Sequence, residues 1–300
     1  MKVAITGASG LIGSALSQSL RADGHDVLRL VRRPPTAADE VEWDPHGGSV
    51  DVDSLTGIDA LLHFAGAGVG DRRWTARYKR EIRESRVLGT RTIVRAIATL
   101  DAKPAVLICG SAIGYYGETG TRTADEDDPN GDGFLAGVVR DWENAAGPAV
   151  EAGIRVVRAR SGLVVSGKGG AWGRMWPLFK VGAGGRLGSG NQYWSFISLR
   201  DEVRAIRRMI ADDSMVGAYN VCAPEPATNA EITRAMGALL HRPTIAPVPS
   251  LVLRAVLGEM SSEVLGSIRA RPRRLLEAGF TFVDPTIEDA LRSALESPDD

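Results

Sequence analysis

The chain has 300 residues, 44% of them hydrophobic, which is enough to bury a substantial core as one large α/β unit or as a main domain with a smaller lobe. A formal net charge of −1 favours neither a broad nucleic-acid footprint nor adhesion to an anionic membrane, leaving a small or locally recognised molecule as the expected partner. No apolar run approaches the roughly 20 residues of a membrane span, and the opening MKVAITG lacks the order of a signal peptide. Cys109 and Cys222 stand far apart without CxxC spacing, so the expectation is a cytoplasmic chain with two small buried thiols and no metal site.

In chain order, an apolar run at 2–6 precedes a helical pattern at 11–22, and strands follow at 26–31 and 59–64. A helix over roughly 75–99, a strand at 104–109, a helix over 134–151 and a strand at 154–159 continue the alternation. Short apolar strands separated by amphipathic helices predict an α/β fold of the Rossmann type, a doubly wound parallel sheet covered on both faces. After Arg160 the texture changes: SGKGG, GAGG and GSG punctuate 166–190 around Trp172, Met175 and Trp176, as expected of a mobile wall over a pocket. A helix at 200–212 and a strand at 217–222 return to the sheet, and the tail carries helical stretches near 228–240, 250–257 and 286–296, with Asp299 and Asp300 as a frayed end. The resulting organisation is a Rossmann domain over 1–165, completed by 196–223, and a smaller, partly helical substrate-side lobe over 166–195 and 224–300.

Gly7, Gly10 and Gly13 in ITGASGLIG follow the first strand and open the first helix. Such a turn bends tightly and brings backbone N–H groups, with Ser9, Leu11 and Ile12 between the glycines, against a pyrophosphate at the positive helix end. The bland alternative is helix-to-strand packing alone. An NAD site has an acid near the end of the second strand, but DVLRLV runs into Arg32 and Arg33. Guanidiniums suit a 2′-phosphate and offer no acceptor to a free hydroxyl, so NADP(H) is expected over NAD(H), against a merely solvated basic turn before Pro34 and Pro35. The strand end HFAGAG, 63–68, offers small residues past which a cofactor can run, while His63 reads as a packed strand residue.

The glycine turn, the FAG strand end and SAIGYYG at 111–117 together resemble the extended short-chain dehydrogenase/reductase superfamily. RRWT at 72–75, SR at 85–86, RSGLVVS at 160–166, LGSGNQYWSFI at 187–197 and RPRRLLEAGFTFVDPTIEDAL at 271–291 narrow the likeness to its atypical, nucleoside-diphosphate-sugar epimerase-like branch, whose members end in a family-specific C-terminal domain. The resemblance implies that Arg32 meets the adenosine phosphate and that Phe64, Ala65 and Gly66 line the adenine and ribose path. It implies further that Arg86, with Glu81 as its partner, faces the cleft, and that Leu163 and Val164 lie near the nicotinamide. Gln192, Trp194 and Ser195 become substrate-side residues by the same analogy.

One expected feature is missing. Typical members carry a Tyr-x-x-x-Lys pair on the helix after the fifth strand, where a nearby ammonium tunes the phenol as an acid. Here that helix reads FLAGVVRDWENAA, placing Leu135 and Val139 at the two positions, and a shift of one residue gives Phe134 and Val138. The usual Ser position falls on Ala112, beside Ser111. Ser111, Tyr115 and Tyr116 are therefore the candidate catalytic hydroxyls, the two phenols serving otherwise as aromatic walls, and Arg140 with Asp141 reads as a solvated pair. Two functions follow: an NADP-dependent oxidoreductase or epimerase-like enzyme on a small polar substrate such as a nucleotide sugar, or a non-catalytic NADP-binding regulatory protein.

Overall fold

A computed structural model describes residues 1–296; the tail end at Asp299 and Asp300 lies outside the described residues. Eight strands form the central sheet: β1 (Lys2–Thr6), β2 (Asp26–Val31), β3 (Glu40–Asp44), β4 (Ser49–Val50), β5 (Ala60–His63), β6 (Val106–Ala112), β7 (Arg155–Ser161) and β8 (Gly217–Val221). Their spatial order is β8-β7-β6-β5-β1-β2-β3-β4, parallel throughout except for the β3–β4 hairpin. The order reverses at β1, between β5 and β2, which is where a doubly wound sheet opens its ligand crevice.

The strands are apolar on both faces because both are covered. Val3 and Ile5 meet Leu16 and Leu20 of α1 (Leu11–Ala22) and Ile206 and Met209 of a later helix; Ala4, Leu61 and Leu107 meet Ile93 and Ile97 of α2 (Ala76–Ala98) and Trp142 of α3 (Phe134–Ala145). Leu16 is fully buried, so truncating it to Ala would cost about 2–5 kcal/mol. The expected helix at 134–151 ends at Ala145 and restarts as a short turn of helix at Gly147–Glu151, with Pro148 in its first positions.

Two elements differ from the sequence reading. EVEWD adds β3, an amphipathic strand of five residues whose acids alternate with the buried Val41 and Trp43. The glycine-rich stretch expected as a mobile wall holds α4 (Gly170–Lys180), in which Trp172, Trp176 and Phe179 recur at helical spacing and are all buried. The flanking glycines masked that period. Residues 163–165 pair in parallel with 196–198, α5 (Leu199–Ala211) packs back beside α1, and β8 closes the sheet edge. The lobe core joins Trp172, Trp176, Phe179 and Trp194 to Ile232 and Met236 of α6 (Asn229–Leu239) and to Leu291 of a last helix, α8 (Ile287–Glu296), while α7 (Ser250–Leu257) lies farther out.

Candidate functional site

β1, β5 and β6 are neighbours, so Gly7, Phe64 and the segment after Ala112 meet along one sheet edge. Within the glycine turn the three glycines have different reasons. Gly7 has φ +71°, and a Cβ there would stand 2.9 Å from the backbone at Phe64 and Ala65; a Cβ on Gly13 would fall 2.2 Å from the Gly7 carbonyl oxygen. Both are required by the protein's own packing. Gly10, with an ordinary extended backbone, would meet only the Gly7 oxygen at 3.2 Å, so its bareness keeps space open on the outer side of the turn. That side borders a cleft of about 660 Å³ lined by Ser9, Gly10 and Leu11 together with Val165, Ser166 and Gly170. α1 begins there with no side-chain cap and no acid in its first turn, leaving its first N–H groups and its positive dipole end free for an anion.

The arginine pair is split. Arg33 donates to both carboxylate oxygens of Glu40, at 2.7 and 2.9 Å, and these bonds with the Thr36 N–H hold Glu40 down to about 2. Arg32 is exposed and touches no acid among the described residues. One guanidinium is thus available at the end of β2.

At the end of β5, Thr6 Oγ1 accepts from the Ala65 N–H at 3.2 Å and bonds His63 Nδ1 at 2.7 Å. His63 is fully buried, its Nε2 has no partner, and desolvation beside the Arg86 charge pushes it down to about 3, so it remains neutral. Arg86 Nη1 donates to the carbonyls of Ala67 and Ile82 at 2.9 and 3.0 Å, its Cζ lies 5.2 Å from the Trp142 ring, and burial lowers it to about 10. The expected pairing with Glu81 does not form: among the described residues no carboxylate meets Arg86, and backbone carbonyls hold it against Gly66. It stays a cation without a counter-ion beside the strand end.

The three hydroxyl candidates end in different environments. Ser111 Oγ donates to Glu143 at 2.6 Å, and Glu143 is locked by Arg160 through two bonds of 2.8 and 2.9 Å. Tyr116 is 2% exposed; its hydroxyl donates to Asn220 Oδ1 at 2.7 Å and accepts from Arg160 at 2.9 Å, and burial pushes its ionisation well above the usual range. Tyr115 is half-buried, stacks its ring 3.5 Å from Arg160 Cζ and keeps a hydroxyl with no partner among the described residues. Glu143, Arg160 and Asn220 were missed as site residues; the signal was a charged residue within α3 and another near the end of β7. Leu135 packs against the cluster of Trp74, Tyr78, Ile82 and Val138, and Val139 is buried, so apolar contacts fill the place of the missing pair. Arg140 and Asp141 form an exposed cluster with Arg83.

The substrate-side expectation meets a different use of the same residues. Trp194 belongs to the lobe core, Gln192 Nε2 donates to the Leu187 carbonyl at 2.9 Å, and Ser195 Oγ accepts from the Ala270 N–H at 2.8 Å. They lace the tail to the lobe. Leu163 and Val164 stand half-buried on the short strand beside Phe196 and Ile197. Among the described residues no group of His, Cys, Asp or Glu is placed to hold a metal, and no helix is long and apolar enough to cross a membrane.

Comparison with known proteins agrees with this geometry. Residues 3–133 match the NAD dependent epimerase/dehydratase family, and residues 248–294 match a domain of unknown function, DUF1731. An epimerase family protein of Mycobacterium bovis is 48% identical over 99% of this chain and 98% of its own length. The chain belongs to the epimerase family. The crystal structure of the human epimerase family protein SDR39U1 with NADPH superposes with a TM-score of 0.91 at 33% identity, covering 99% of this chain and 100% of that one. A nucleoside-diphosphate sugar epimerase from Corynebacterium glutamicum gives 0.82 at 34% identity, with 98% of this epimerase family chain covering 58% of that longer one. The Rossmann-like architecture with its C-terminal domain is therefore that of the SDR39U1-like epimerase family proteins.

Proposed function

We propose that this epimerase family protein is an NADP(H)-dependent oxidoreductase acting on a small polar substrate, with a nucleotide-linked sugar as the favoured class. The observation that carries the cofactor half is the free Arg32 at the end of β2, next to a glycine turn whose Gly10 leaves room for a pyrophosphate at the uncapped start of α1. The same contacts fit a bound NADP: Gly10 with the N–H groups of Leu11 and Ile12 for the pyrophosphate, Arg32 for the 2′-phosphate, Phe64 to Gly66 for the ribose path. The nicotinamide supplies the hydride when bound. Tyr115, with an unengaged hydroxyl and its ring fixed by Arg160, holds the proton for the substrate oxygen, while Ser111 and Tyr116 serve the buried network. The nucleoside-diphosphate sugar epimerase among the relatives supports the substrate class.

A second reading, NADP binding without turnover, is favoured by one observation: Leu135 and Val139 pack apolar contacts where a Tyr and a Lys would act. An NADPH-oxidation screen across aldehydes, ketones and nucleotide sugars separates the two, with Gly10→Val as the control. A branched side chain there occupies the pyrophosphate space, so the folded variant loses both turnover and NADPH-induced thermal stabilisation. Micromolar NADPH binding with no substrate turned over would select the non-catalytic reading.

A further inference from the structure

Net charge averages over the whole chain, and the outer surface of the lobe departs from that average. Of the ten large apolar side chains exposed among the described residues, six (Leu178, Val181, Ile245, Leu251, Val252 and Val256) belong to two neighbouring strips. Arg242 Nε donates to the Lys180 carbonyl at 2.9 Å, the Val248 N–H to the Arg186 carbonyl at 2.8 Å and the Gly188 N–H to the Val248 carbonyl at 2.9 Å, so the strip after α4 runs beside 242–248. α7 begins two residues later, burying Leu253 and turning Leu251, Val252 and Val256 to solvent at 77%, 47% and 67% exposure. A solvated helix of a monomeric domain has no use for such a face.

The charge around it is one-sided. No Asp or Glu occurs between residues 152 and 200 or between 232 and 258. Among the described residues, Lys180, Arg186, Arg242 and Arg254 on these strips meet no carboxylate, and the two that are hydrogen-bonded, Arg186 and Arg242, donate only to main-chain carbonyls. Glu259, the first acid after α7, is held by Lys79 at 2.6 Å. Apolar side chains ringed by unpaired cations match one kind of surface: the apolar groups enter the acyl boundary while the cations stay level with the phosphates. Self-pairing of this face across a two-fold axis would instead set its cations against one another.

We propose that the lobe face formed by Leu178 to Val181 and by residues 242–256 docks reversibly on an anionic phospholipid surface. The test is flotation of the full chain with vesicles of phosphatidylcholine alone and of phosphatidylcholine with phosphatidylserine. The protein floats with the mixed vesicles, stays behind with the neutral ones, and is released as salt is raised toward about 0.5 M, where the Debye length shrinks to a few ångströms. At roughly a fivefold change in partitioning per cation, the double variant Lys180→Glu/Arg254→Glu binds at least about 25-fold more weakly, and Leu251→Ser/Val256→Ser loses binding too. All four positions are exposed, so unchanged melting and NADPH affinity show that the fold is intact. Absence of binding to the mixed vesicles, or binding that both variants retain, overturns the proposal. So does a parent dimer in light scattering that Leu251→Ser/Val256→Ser converts to monomer, because a second copy then covers the face.

Discussion

Replacing Tyr116 by Phe removes one oxygen and keeps the ring, so it separates the two roles open to a phenol at the end of β6. In the structure that oxygen joins three elements: it accepts from Arg160 on β7 at 2.9 Å and donates to Asn220 on β8 at 2.7 Å, with the residue 2% exposed. Its removal strands a charged donor and an amide oxygen away from water. At about 1–3 kcal/mol for each buried group left unpaired, partly recovered because the hydroxyl itself no longer has to be desolvated, the loss comes to about 2–4 kcal/mol. For a chain of this size that lowers the melting midpoint by roughly 3–6 °C. Turnover and NADPH affinity of the folded variant should stay within about twofold of the parent, because Tyr115 keeps its hydroxyl. Thermal unfolding followed by circular dichroism, with NADPH oxidation on a substrate found by screening, reads both quantities. The converse result, unchanged stability with a hundredfold loss of turnover, would make Tyr116 the proton donor and refute the structural role derived for it.

Tyr115→Phe should show the mirror image: turnover down by about a hundredfold, with stability within about 0.5 kcal/mol and cofactor affinity unchanged. Arg32→Ala should weaken NADPH by roughly ten- to a hundredfold in calorimetry while sparing NADH, since a charge-assisted contact is worth about 1.5–3 kcal/mol and Arg33, held by Glu40, cannot replace it; equal losses for both cofactors would remove the phosphate role. Glu202 is fully buried, accepts from Ser161, has Oε2 unpaired and is pushed up to about 8 by desolvation. Its folded pKa lies above the unfolded one, so the native state holds the extra proton. Stability is then full below about pH 4.5 and falls by on the order of 1 kcal/mol per pH unit up to about pH 8. Denaturant titrations across that window should lose this slope in Glu202→Gln, and a slope that persists would assign it to another group.

Much of this protein was legible in the chain order of its residues. Strand–turn–helix with glycines at 7, 10 and 13 determines a tight turn with an open outer side, because the left-handed φ of Gly7 and the approach of Gly13 to the Gly7 carbonyl are local demands that glycine meets. The absence of Tyr and Lys from FLAGVVRDWENAA is equally local, as is the alternation that specifies a doubly wound sheet. Spatial partners were not legible, since a hydrogen bond between residues tens or a hundred positions apart leaves no periodicity. Arg33 was indistinguishable from Arg32 until Glu40 came to lie against it. Gln192, Trp194 and Ser195 took their roles from residues 264–270, and α4 stayed hidden because its buried aromatics gain their apolar partners from α6 and α8. The choice among Ser111, Tyr115 and Tyr116 belonged to the tertiary structure as well: all three end β6 with a hydroxyl, and only the arrival of Glu143, Arg160 and Asn220 from other elements engages two of those hydroxyls and leaves the third free.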